Sequence, residues 1–230
     1  MLQSFFRTLI GAAPIALTLS AYTITFYYPG DIHYFAGVGG TCIAVVGLVT
    51  TLLLANQLNH AYVYPLLARL PSRIELMIAL LVSAYIVTVL MAILFTLLVI
   101  GTRKLSPTII DLLILTPRWL VLYLFVTSFG LHMTKLVSRH GSYLLAYLSI
   151  ALVLVIPQQR YQWMQSQMGT AFLDAFNTVA SPISRLLTDE VAVHNLGMYM
   201  GPLVLTLMYA IILFLVACGL FQRKDLLWSE

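Results

Sequence analysis

Charge is what this chain has least of. Its 230 residues include 12 Lys and Arg and 8 Asp and Glu, 9% in all, where a soluble domain carries about 25%. Hydrophobic residues make up 61%, against about 45–50% in soluble domains. That balance excludes a soluble enzyme, a disordered chain and a nucleic-acid-binding module. The net charge of +4 is too sparse for a phosphate-binding face, so no nucleic acid partner is expected. Cysteine is scarce too: Cys42 and Cys218 are the only two, each inside an apolar run. They form neither a disulfide framework nor a metal site, and read as small hydrophobes. The chain has no G-x-x-x-x-G-K-[ST] loop, no HExxH and no paired-Cys spacing. It is therefore expected to carry no catalytic residue, metal or cofactor of its own.

What the chain has is long apolar runs. A membrane-spanning helix needs about 20 apolar residues, and six candidate spans meet or approach that length: 9–28, 34–56, 74–100, 119–136, 143–156 and 198–221. The fourth has a possible earlier start, because 109–115 is apolar apart from Asp111. The first follows Arg7 and resembles the start of a signal peptide, but its length and the lack of a small-residue cleavage site before Pro29 favour a retained span. The second opens with Ala36, Gly37, Val38, Gly39 and Gly40 and holds Gly47, small residues that allow close helix approach. The expected fold is all-α: one polytopic membrane domain over 1–230, an integral protein of the lipid bilayer.

Six spans put both termini on one side with the 57–73 and 137–142 loops. That side carries Arg7, Arg69, Arg73, Lys135, Arg139, Arg223 and Lys224; the other carries Arg103, Lys104, Arg118, Arg160 and Arg185. Most acids, Asp31, Asp111, Asp174, Asp189 and Glu190, fall on the second side. The excess of Lys and Arg makes the first side cytoplasmic, with both termini inside.

Two connections are more than turns. In 57–73, Tyr62, Leu66, Arg69 and Arg73 recur at helical spacing, which fits a short interfacial helix ended by Pro71, with Ser72 and Glu75 spaced as a cap for the next helix. A solvated loop pinned by its positive charges explains the same residues. In 157–197, Met164, Met168, Phe172, Phe176 and Val179 form one apolar stripe, either a helix on the outer leaflet or a packing lid. His132 stands without a carboxylate at helical spacing and reads as a hydrogen-bonded packing residue rather than a relay. The aromatic residues, Tyr22, Phe26, Tyr27, Tyr28, Tyr85, Phe95, Tyr123 and Phe125 among them, fit interfacial belts as well as contacts to a lipid or drug. Intramembrane carboxylates, the mark of an ion-coupled carrier, are missing. With no buried charge in sight, a highly charged substrate is disfavoured.

The stretch LLARLPSRIEL at 66–76 resembles the coupling segment of ABC type-2 transporter permeases, through Leu66, Leu67, Pro71, Ser72, Arg73 and Glu75. LFQRKDL at 220–226 is similar to the family's basic ending after the last span, and FGLHMTKLVSRHGS at 129–142 to its turn between spans four and five. The order of these segments and the six-span topology cover nearly the whole chain. Asn59, His60, Ala61 and Tyr62 depart from the family, where acidic residues are usual.

The resemblance implies the permease subunit of an exporter in a bacterial inner or plasma membrane. It would form a path for a lipid, drug, peptide or similar amphipathic substrate. Its partners would be a separate ATP-binding cassette ATPase subunit, holding ATP and Mg, and a second permease, identical or unlike. A cytoplasmic coupling helix between spans 2 and 3, with Tyr62, Leu66, Leu67, Arg69, Pro71, Ser72, Arg73 and Glu75, would dock on the ATPase. A helical insertion between spans 5 and 6 would lie outside. The alternatives are a cytochrome-maturation-type cofactor exporter subunit, a non-transporting scaffold or immunity-type subunit, and a secondary carrier.

Overall fold

The computed structural model describes residues 9–57, 73–105, 107–134, 137, 186 and 196–223, all helical or in short turns with no strand among them. A 3₁₀ turn, Leu9–Ala12, leads into α1, Ala13–Thr25. Helix α2 runs Ile32–Gln57, α3 Arg73–Gly101, α4 Ile109–His132 and α5 Leu196–Arg223. Of these, α2 to α5 are each long and apolar enough to cross a bilayer.

Two of the sequence-expected spans change at their ends. The helix expected at 9–28 closes at Thr25, where the Phe26 N–H donates to the Tyr22 carbonyl and the Phe26 ring turns into the core. With 13 residues, α1 is about 20 Å long, short of the bilayer core by itself. Of the two starts the sequence offers for the fourth span, about 119 or the earlier apolar stretch, the helix takes the earlier and begins at Ile109. Thr108 Oγ1 accepts the Asp111 N–H at 3.2 Å while Asp111 Oδ2 accepts the Thr108 N–H at 3.0 Å. This reciprocal cap starts the helix early. Pro117 then sits inside it, leaving one carbonyl a turn back without its usual N–H, which membrane helices tolerate. The span expected at 143–156 and all but the ends of the 57–73 segment lie outside the described residues. So does most of the 157–197 insertion, since α5 takes in only its last two residues.

The two largest apolar clusters hold the two ends of the bundle. At one end, Phe26, Phe35, Phe95, Trp119 and Tyr123 join the end of α1, the start of α2, the end of α3 and the middle of α4; we call this the aromatic end. At the other, Leu54 and Ala55 of α2, Leu76, Met77 and Leu80 of α3, Leu131 of α4 and Ala217, Cys218 and Phe221 of α5 pack together. The 58–72 segment departs from this loop end. Because α4 and α5 both finish in the second cluster, they run parallel, whereas α2, α3 and α4 alternate in direction.

Between the clusters, small residues set the spacing. A Cβ on Gly47 would lie 2.8 Å from Thr88 Cγ2, and one on Gly130 would lie 3.2 Å from Thr51 Cβ. These notches let α2 press against α3 and α4. Close packing matters here because lipid tails are as apolar as the helices and give no hydrophobic drive between them. Outward, α3 presents Ile74, Ile78, Val82, Ile86, Leu90, Ile93 and Leu97, all exposed, at intervals of about one helical turn. That is the surface a lipid-facing helix needs.

Candidate functional site

The sequence-predicted coupling residues Tyr62, Leu66, Leu67, Arg69, Pro71 and Ser72 lie outside the described residues. Arg73 opens α3, and Glu75 follows in its first turn, exposed. Directly beneath is the aliphatic cluster in which α2, α3, α4 and α5 all meet.

At the aromatic end, α2 begins with three α-helical residues, Ile32–Tyr34, and a π turn, Phe35–Gly39, before regular helix resumes at Gly40. The Asp31 carboxylate caps the start by accepting the Tyr34 N–H at 2.7 Å. The Phe35 ring is fully buried. It lies 5.0 Å from the Trp119 ring, 5.9 Å from Phe26 and 6.3 Å from Phe95. Trp119 Nε1 donates to the Ala36 carbonyl at 3.3 Å. Cross-ties at the rim complete the closure: Tyr22 Oη donates to Thr102 Oγ1 at 2.8 Å, Tyr34 Oη to the Thr25 carbonyl at 2.9 Å, and Lys104 Nζ to the Tyr27 carbonyl at 2.9 Å. Gly30 is required where the chain turns, since a Cβ there would sit 2.7 Å from Tyr34 Cδ1.

In the interior, the hydroxyls of Thr18, Thr50, Thr51, Thr88 and Thr127 each donate to the carbonyl four residues back. Their polarity is spent within their own helices, so they offer nothing across the bundle. Among the described residues three buried hydroxyls behave differently: Tyr123 Oη, Ser128 Oγ and Thr206 Oγ1 make no hydrogen bond. His132 Nε2 meets the Leu213 carbonyl at 2.8 Å. A carbonyl only accepts, so Nε2 carries the proton, and His132 is a packing residue that ties α4 to α5. Asp111 is committed to its helix cap, with Thr108 Oγ1 also donating to it at 2.7 Å.

Arg118 corrects the sequence reading. Expected in a loop, it lies within α4 with 6% of its surface exposed, about 14 Å along the helix from Ile109. Among the described residues it is the one buried charged side chain. Pro117 beside it imitates a helix boundary, and the signal that would have found it is the Thr108/Asp111 cap spacing. A charge at that depth is costly and marks a functional position in membrane proteins. Among the described residues no three His, Cys, Asp or Glu side chains gather as metal ligands.

No family model matches the chain, and no curated protein or solved structure matches it either.

Proposed function

We propose that the chain is the membrane subunit of an ATP-driven exporter of the ABC type-2 permease kind, with ATP hydrolysed on a separate subunit and a second permease completing the path. The observation that carries this reading is the cluster at the loop end. The segment whose sequence resembles the coupling helix leaves the bundle where α2, α3, α4 and α5 converge, which is where a docked ATPase gains most leverage. The parallel course of α4 and α5 also supports it. The chain between them has to return from the loop end to the aromatic end, as a span near 143–156 would do in a six-span topology. In this reading the loop end and both termini face the cytoplasm of a bacterial cell.

The test is affinity purification of the full chain from native membranes, followed by transport. A soluble partner with a Walker motif should copurify. Arg73→Glu should abolish ATP-driven transport and leave membrane insertion unchanged. Normal transport by that variant, or a chain that purifies alone, would overturn the assignment. The buried Arg118 favours a second reading, a secondary carrier, because intramembrane charges line ion and substrate paths. Uptake or efflux that follows a proton gradient without ATP would select it.

A further inference from the structure

We propose that the π turn Phe35–Gly39 is a hinge that opens and closes the aromatic end of the bundle. A π turn winds an extra residue into the helix, and such turns recur at functional sites. If it relaxes to α-helix, the segment before it rotates by about 100° and shifts by about 1.5 Å. That segment, Ile32–Tyr34, has its own cap from Asp31, so it moves as a unit. Rotation by that angle takes Phe35 out from between Phe26, Phe95 and Trp119, the rings that close this end.

The turn is easy to rewind, and its bond to α4 is long. Gly37, Gly39 and Gly40 lower the cost of changing the winding. The Gly40 N–H bonds the Ala36 and Gly37 carbonyls, the α and 3₁₀ patterns, so ordinary winding has already resumed where the π turn ends. The latch is the Trp119 Nε1 bond to the Ala36 carbonyl, which at 3.3 Å is at the long end for its type. It joins residues 83 apart in sequence, so it fastens α2 to α4. A second tie, the Tyr34 Oη bond to the Thr25 carbonyl at 2.9 Å, holds the rotating segment to α1 and has to break with the Trp119 bond, so plug, turn and ties switch together as a two-state element. The hinge stands on the fold; its use as the exit of a transport path rests on the function proposed above.

The two native cysteines report on it. Cys42 is half-buried, about 15 Å into α2 from Ile32, on the inner side of the plug, while Cys218 is buried in the cluster at the loop end. Maleimides attack the thiolate, which forms only where water enters. The full chain in lipid nanodiscs would be treated with a water-soluble maleimide and the rate at each cysteine followed by mass spectrometry. Trp119→Phe removes the latch and keeps a ring, and should raise the Cys42 rate about fivefold, the factor for one net hydrogen bond. Phe35→Ala removes the plug and should raise it further. Cys218 should hold its rate in both.

A Cys42 rate unchanged in Trp119→Phe would overturn the hinge, as would equal rises at Cys42 and Cys218, which mean general loosening. In native membranes, ATP should shift the Cys42 rate of the unaltered chain. If Trp119→Phe changes that rate and ATP does not, the hinge stands and the exporter reading falls.

Discussion

The two ends of the bundle are built on different physics. The aromatic end is held by directional contacts: ring edges set at 68–76° around Phe26, and side-chain bonds from Tyr22, Tyr34, Lys104 and Trp119 across helices. At the loop end, Leu54, Leu76, Met77, Leu80, Leu131 and Phe221 meet through aliphatic packing. Directional contacts have one good geometry and break as a set. Aliphatic packing costs little when helices slide by a fraction of an ångström, provided no void opens. The first end suits a two-state closure, while the second tolerates small shifts.

The largest effect should come from truncating the centre of the aromatic end. Phe26 is 1% exposed and touches Tyr34, Phe35 and Phe95 by ring edges. Phe26→Ala should cost about 3 kcal/mol, the low end for such a truncation because lipid rather than water is the alternative surrounding. Leu80→Ala, equally buried at the loop end, should cost about 2 kcal/mol, since neighbouring aliphatic chains can close part of the gap. Reversible unfolding of the purified chain in mixed micelles measures both. If Leu80→Ala proves the costlier, the contrast between the ends is wrong.

His132→Phe asks the same question of the loop end with a smaller perturbation. It keeps a ring and removes the donor to the Leu213 carbonyl, and should cost about 1 kcal/mol, the net worth of one hydrogen bond. A loss as large as that of Phe26→Ala would mean that a directional tie, not packing, secures this end.

The difference between the ends also explains what could be read from sequence. Helices α2 and α3 were legible because their apolar runs are unbroken and their length matches the bilayer. Gly47 was legible as a point of close approach, and it presses on Thr88. His132 was legible as a hydrogen-bonded packing residue. The start of α4 was legible only as one of two alternatives, because Pro117 and Arg118 look like a loop; the three-residue spacing of Thr108 and Asp111, a cap pattern, marks the earlier one. Arg118 was misread as a loop residue. The winding of Phe35–Gly39 was not legible: FAGVG fits an ordinary small-residue helix, and the π turn packs against Trp119 and Phe95, remote in sequence, as well as Phe26 across the preceding turn. The proposed coupling residues, from Tyr62 to Ser72, lie outside the described residues, so for them the sequence pattern stands alone.

The smallest effect tests how tightly the aromatic end is fastened at its rim. Helix α3 closes with the Arg103 N–H donating to the Ile100 carbonyl and the Lys104 N–H to the Val99 carbonyl, at 2.9 and 3.1 Å. That geometry sets Arg103 at φ 55°, the left-handed region where glycine usually ends a helix. A non-glycine residue there costs about 1 kcal/mol. Arg103→Gly removes that cost but gives the unfolded chain more freedom, so it should stabilise by about 0.5 kcal/mol. Arg103→Lys keeps both the backbone cost and the cation near the helix C-terminus, and should leave stability unchanged. If Arg103→Gly destabilises the chain while Arg103→Lys is neutral, the cation outweighs the backbone cost. The rim would then be fastened by charge as well as by the Lys104 and Tyr22 bonds. If both are neutral, the turn contributes little, and the closure of this end rests on the rings beneath it.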